Sequence, residues 1–170
     1  DPKILRDSDR IVFPGQGAMG SCMTALEENS LIDEIKLSSK SKPFLGICLG
    51  LQLLFDSSEE NKGTQGLSIV PGKVIKFNNR ELKIPHMGWN NVNQSREHPL
   101  WFNIGNNSRF YSVHSYHVKP VHQDCIFGTT TYGHEFVSAI ALGHIFAVQF
   151  HPEKSQTDGL QLLKNFVNWS

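Results

Sequence analysis

The chain is 170 residues long and 39% hydrophobic, which suits one compact domain with a full core and argues against two. Sixteen basic residues balance sixteen acidic ones with no long run of either sign, so neither nucleic acid nor an anionic membrane is the expected main partner, and a small neutral or zwitterionic substrate fits better. Three widely spaced cysteines, Cys22, Cys48 and Cys125, suggest neither a disulfide framework nor a C-x-x-C metal site and predict a reducing, cytoplasmic setting; with no long apolar segment and no basic-then-apolar start, neither a membrane span nor a leader is expected.

The chain opens on a polar run, residues 1–7, without an initiator methionine, and is expected to be a fragment. Residues 10–13 read as a short strand that ends in Pro14-Gly15-Gln16-Gly17, followed by helical spacing over residues 19–37. A second unit follows a linking loop at residues 38–42: a strand over residues 44–47, a tight turn, and a helix over residues 49–55. Two such units in succession predict a parallel α/β sheet, with ligands at the carboxyl ends of the strands, where both glycine turns lie. After Gly63 the pattern changes to short β runs at residues 67–70, 74–77, 89–92, 109–114, 126–131, 136–141 and 145–150, mostly antiparallel candidates, and residues 159–169 close the chain as a helix packed on the sheet. The predicted fold is a single α/β domain with a mixed sheet flanked by helices.

Cys48 falls at the strand-to-helix corner between Gly46 and Gly50, the mechanics of a nucleophile elbow with a thiol in place of a hydroxyl. A helix beginning at Leu49 would aim its amides at the sulfur and lower its pKa; the alternative is a small buried residue in a βα corner. The run Gln149-Phe150-His151-Pro152-Glu153 delivers a histidine and, two positions on, a carboxylate, which share a side in extended chain. Pro152 biases His151 toward extended geometry. Together these supply nucleophile, base and orienting group, although His151 alone also reads as an ordinary packing histidine. The Leu49 amide and the glycines of residues 14–17 are candidate donors for an oxyanion.

Several motifs in one register carry a resemblance. The elbow Gly46-Ile47-Cys48-Leu49-Gly50 with Gln52, and the late His151-Pro152-Glu153, resemble the class I, triad-type glutamine amidotransferases, a fold that is flavodoxin-like. Ser57-Ser58-Glu59-Glu60, Pro85-His86-Met87-Gly88-Trp89-Asn90, Val113-His114-Ser115-Tyr116, His151 to Ser155 and Leu162-Leu163-Lys164-Asn165-Phe166 are similar to the glutaminase subunits of imidazole glycerol phosphate synthases, over essentially the whole chain. The resemblance implies that Cys48 attacks the side-chain amide of L-glutamine, His151 moves protons and Glu153 orients the imidazole. Gly15, Gly17 and Leu49 would serve the oxyanion loop, and Gln52, Ser115 and Tyr116 would hold the amino-acid part of glutamine. Ammonia would pass to a (β/α)8-barrel cyclase in histidine biosynthesis, with Trp89, Asn90 and Lys154 near that interface. No cofactor or metal is implied.

Two departures stand against the family pattern. A strand and glycine-rich loop of the form D-Y-G-x-G-N normally precede what is Asp1 here, so the first βα unit is expected to be missing. Gln16 stands where many members carry valine, a change expected to be tolerated because a backbone amide acts there. A docking module without catalysis and a free-standing cysteine hydrolase of γ-glutamyl substrates remain alternatives. Among the other candidates, His114 and His117 are spaced like a metal pair but lack an acidic or cysteine neighbour. Trp101 reads as a core aromatic, Cys22 and Cys125 as inert, and Glu59 and Glu60 as a solvated helix end.

Overall fold

The computed structural model describes residues 1–78 and 82–170. The polar opening is a short helix, α1 (Pro2–Asp7), because Asp1 caps it, accepting from the Lys3 amide at 2.8 Å, and Pro2 occupies its first turn. Next come β1 (Ile11–Gly15), α2 (Met19–Glu28), α3 (Ile32–Ser38), β2 (Phe44–Cys48), α4 (Leu49–Gln52), β3 (Phe55–Ser58), β4 (Thr64–Gln65) and β5 (Val70–Lys76). The second half holds β6 (His86–Asn91), β7 (Asn93–Gln94), β8 (Arg109–His114), β9 (Tyr116–Pro120), β10 (Ile126–Tyr132), β11 (His134–Leu142), β12 (Ile145–Val148) and α5 (Gln156–Asn168).

Two strands organise the molecule. Every residue of β2 and of β12 is buried, as expected for apolar runs covered on both faces. β2 runs parallel to both β1 and β12, and the sheet continues β11-β9-β5-β3-β4, with β10 and β7 added beside β11. Most of the later pairings are antiparallel, as the short runs suggested; β3 on β5 is parallel. β6 and β8 form a separate two-stranded ribbon. Alternation along β2 and β12 divides the core. Phe44 and Ala147 face a cluster with Leu26, Ile35, Leu51 and Phe55; Leu45, Ile47 and Phe146 face another with Trp101, Phe110, Phe150, Leu162 and Phe166. Trp101 is buried, as its reading as a core aromatic required.

Three expectations need correction. Residues 19–37 are two helices, because the chain reverses at Ser30 (φ 53°): the Leu31 amide bonds to Leu26 O at 2.9 Å and the Ser30 amide to Glu27 O at 3.0 Å, a Schellman stop. The helix after Cys48 is one turn, and Phe55 begins a strand. Leu51, Leu53, Leu54 and Phe55 are all fully buried, so their spacing carries no period to distinguish helix from strand. Residues 67–69 are a loop whose amides bond back to the carbonyls of Leu53, Leu54 and Phe55. The boundary shifts elsewhere are of up to four residues, the largest at β5, which starts at Val70 and not at residue 74.

Candidate active site

The elbow is built by close approach. A Cβ on Gly50 would lie 1.7 Å from the Phe13 carbonyl oxygen, and one on Gly46 would meet Ala147 Cβ at 2.9 Å and Gly50 O at 3.0 Å. Only glycine lets β2 turn into α4 against β1 and β12. Between them Cys48 has φ 52° and ψ −104°, a backbone that costs a side-chain-bearing residue about 1–3 kcal/mol and persists only because its surroundings enforce it. The strained corner, buried apart from a small exposure of the residue, sits in a cavity of about 290 Å³ lined by Gln16, Gly17, Cys48, Leu49, Gln52, Glu60, residues 113–116 and His151.

His151 is delivered by the segment after β12, whose Pro152–Lys154 turn follows at once. Its Nδ1 lies 2.7 Å from Glu153 Oε1, so a neutral ring donates from Nδ1 and leaves Nε2 as the free lone pair. That Nε2 is buried and without a hydrogen-bond partner among the described residues. The His151 amide bonds to Tyr111 O at 2.8 Å, and Ser155 Oγ donates to His151 O at 2.6 Å, so backbone and ring are both held.

Electrostatics run against one expectation. The Cys48 thiol is pushed up to about 11, because burial outweighs the lowering by the Leu49 amide and by Gln149, whose Nε2 lies 3.6 Å from the sulfur. A single turn of helix offers too little field to offset desolvation. The resting group is a thiol and needs a base to be activated. Burial also raises Cys22 and Cys125, both free.

Gln16, Gly17, Leu49, Gln52, Ser115 and Tyr116 line the cavity with Cys48 and His151. Gly15 pairs in register with Cys48, and a Cβ on it would strike Leu49 Cβ at 2.9 Å. Gln52 Nε2 donates to Tyr116 O at 3.2 Å and to Gln149 Oε1 at 3.1 Å. Trp89 and Asn90 lie on β6, away from the cavity lining, with Trp89 exposed beside Tyr111; Lys154 is exposed on the turn after His151. Glu60 was misread. Far from ending a solvated helix, it lines the cavity and accepts the Met19 amide at 2.7 Å, while Glu59 accepts the Lys76 amide at 2.9 Å. No local spacing announces it; the return of β3 and its loop beside α2 brings it there. His114 and His117 do not pair; each turns to a different histidine, His86 at 3.1 Å and His134 at 3.4 Å.

The class-I glutamine amidotransferase model matches residues 3–169. The chain belongs to that family. It is 53% identical to the imidazole glycerol phosphate synthase subunit HisH of Hydrogenovibrio crunogenus, over 98% of this chain and 79% of that protein. It is 51% identical to the subunit of the same name from Nitrosospira multiformis, over 99% and 82%. A crystal structure of a glutamine amidotransferase superposes with a TM-score of 0.70 at 16% identity, covering 98% of this chain and 82% of that one, which shows the amidotransferase fold.

Proposed function

We propose that this chain is the glutaminase subunit of an imidazole glycerol phosphate synthase, releasing ammonia from L-glutamine for a cyclase partner in histidine biosynthesis. The observation that carries the catalytic reading is the pairing in one cavity of an elbow cysteine with a histidine whose Nδ1 is held by Glu153 and whose buried Nε2 has no partner among the described residues. In this reading Cys48 gives its proton to His151 Nε2 as sulfur attacks the glutamine side-chain carbonyl. The amide of Leu49 and one from the Gly15 to Gly17 loop meet the developing oxyanion. The tetrahedral intermediate collapses, His151 protonates the departing nitrogen, and ammonia leaves a γ-glutamyl thioester on Cys48. Water, deprotonated by the same ring, then releases glutamate and restores the thiol.

Gln52 and the main chain at Ser115 and Tyr116 suit the amino-acid end of glutamine, and the Glu60 carboxylate adds a partner for its ammonium group. A thiol held near 11 fits a subunit that is slow alone and is activated when its partner carries ligand. The partner is a (β/α)8-barrel cyclase in a heterodimer with lyase activity, docked near Trp89, Asn90 and Lys154. Three free cysteines fit a reducing cytoplasm.

Mixing the chain with the cyclase barrel and following glutamate tests this directly. Glutamate should form slowly without the barrel, accelerate when the barrel carries its ligand, and vanish with Cys48→Ala. A Cys48→Ala variant as fast as the parent contradicts the nucleophile. Rapid turnover without the barrel favours a free-standing hydrolase, and no turnover under any condition a docking module.

A further inference from the structure

At the glutamine pocket, which His114 lines, the hydrogen bonds of two buried histidines close in only one way. Asn90 Oδ1 accepts the Asn91 amide at 2.8 Å, and Asn90 Nδ2 lies 2.9 Å from the Thr131 carbonyl. Those two neighbours fix which end of the side-chain amide is nitrogen. Its second proton points at His86 Nε2, 3.2 Å away, so that atom is a lone pair and a neutral His86 carries its proton on Nδ1. His86 Nδ1 lies 3.1 Å from His114 Nε2, which must therefore accept. His114 in turn carries its proton on Nδ1 and donates it to the Tyr116 carbonyl at 2.8 Å. That carbonyl is also the acceptor for Gln52 Nε2.

Both rings are buried, with 3% and 6% of their surface exposed, and burial keeps both neutral: His86 is lowered from the usual histidine range and His114 falls to about 3. A charged His86 would turn a second N–H against the Asn90 amide and break the sequence. The two residues face each other across the ribbon, in the β6–β8 register.

We propose that His86 and His114 are positioning residues, forming a one-directional chain of hydrogen bonds from half-buried Asn90 on the ribbon to the Tyr116 carbonyl in the pocket, so that the ribbon's placement sets the glutamine-binding geometry. The functional half of this rests on the glutaminase reading. The structural half does not. Uniform 15N labelling of the chain should show both imidazoles protonated at Nδ1, and Asn90→Asp, which removes the donor, should move the His86 proton to Nε2. In the complex with the cyclase, His114→Phe should raise the glutamine KM about tenfold with kcat within about threefold, the loss of one buried hydrogen bond. His114→Asn, which keeps a donor where Nδ1 sits, should bring KM back to within about threefold of the parent. If His114→Phe does not fold, Asn90→Asp should raise KM in the same sense.

Nε2-protonated rings in the parent overturn the proposal, as do equal KM values for the Phe and Asn variants. A parent complex that forms no glutamate overturns the glutaminase reading, while the tautomers still decide the hydrogen-bond chain.

Discussion

The two walls of the pocket are held by different physics. On the elbow side, Gly46, Cys48 and Gly50 are fixed by steric contact among buried backbones, with no polar side chain needed to set the turn. On the ribbon side, Ser115 and Tyr116 join a two-stranded element outside the main sheet to β9, and the Tyr116 carbonyl also takes a hydrogen bond from His114, which is followed by His86 and Asn90. Close packing makes a wall that is rigid and intolerant of added atoms. Hydrogen bonds make one that can be shifted at modest cost, and whose errors appear in binding before they appear in folding.

The contrast is sharpest at Gly50. Gly50→Ala drives a methyl into the Phe13 carbonyl and should cost about 3 kcal/mol or more of stability, seen as a collapse of the urea midpoint together with activity. A variant folded as well as the parent would show that the elbow is not sterically determined.

Glu153→Gln should be milder for the fold, because Glu153 is partly exposed, yet should lower kcat by about a hundredfold or more. The neutral amide removes the negative charge beside His151 Nδ1 that would stabilise the imidazolium formed when the ring takes the thiol proton. Unchanged kcat would remove Glu153 from the orienting role.

A pH series reads the buried imidazoles, His114 of the ribbon side among them. Burial lowers His98 to about 4, His114 to about 3 and His117 to about 4, against an ordinary value near 6.5. Between those limits the unfolded chain binds protons that the native chain refuses, so stability is full above about pH 6.5 and falls as the pH drops toward 4. Tm should hold from pH 7.5 to about 6.5 and decline from there to pH 5. A flat curve across that window would mean that these rings are not held neutral.

How much of this was legible in the sequence follows the same division. Apolar runs bounded by glycine marked β2, β12 and the elbow, because strands buried on both faces have continuous hydrophobic sequences and a sharp turn demands glycine. Where burial is complete, the period vanishes, and apolar spacing alone extends a helix to Phe55, which starts β3. β9, Tyr116–Pro120, carries no strand signal because two polar residues and a terminal proline interrupt its apolar pattern. At the site, local spacing marks Cys48, His151 and Glu153 as candidates. Glu60 and the His86–His114 contact are not marked, since each depends on distant segments meeting and neither has a local spacing that announces it. The raised thiol also escaped sequence reasoning, because desolvation is a property of the packed corner and not of the motif.

The central claim is that Cys48, alone among the three thiols, is the nucleophile toward glutamine. Treating the cyclase complex with an alkylating mimic of glutamine and mapping the adduct by peptide mass spectrometry tests it most directly. Modification should fall on Cys48 alone, be slowed by added glutamine, and disappear when His151 is replaced by Ala. Modification of half-buried Cys22 or of Cys125 with Cys48 intact, or labelling that glutamine does not slow, would contradict it.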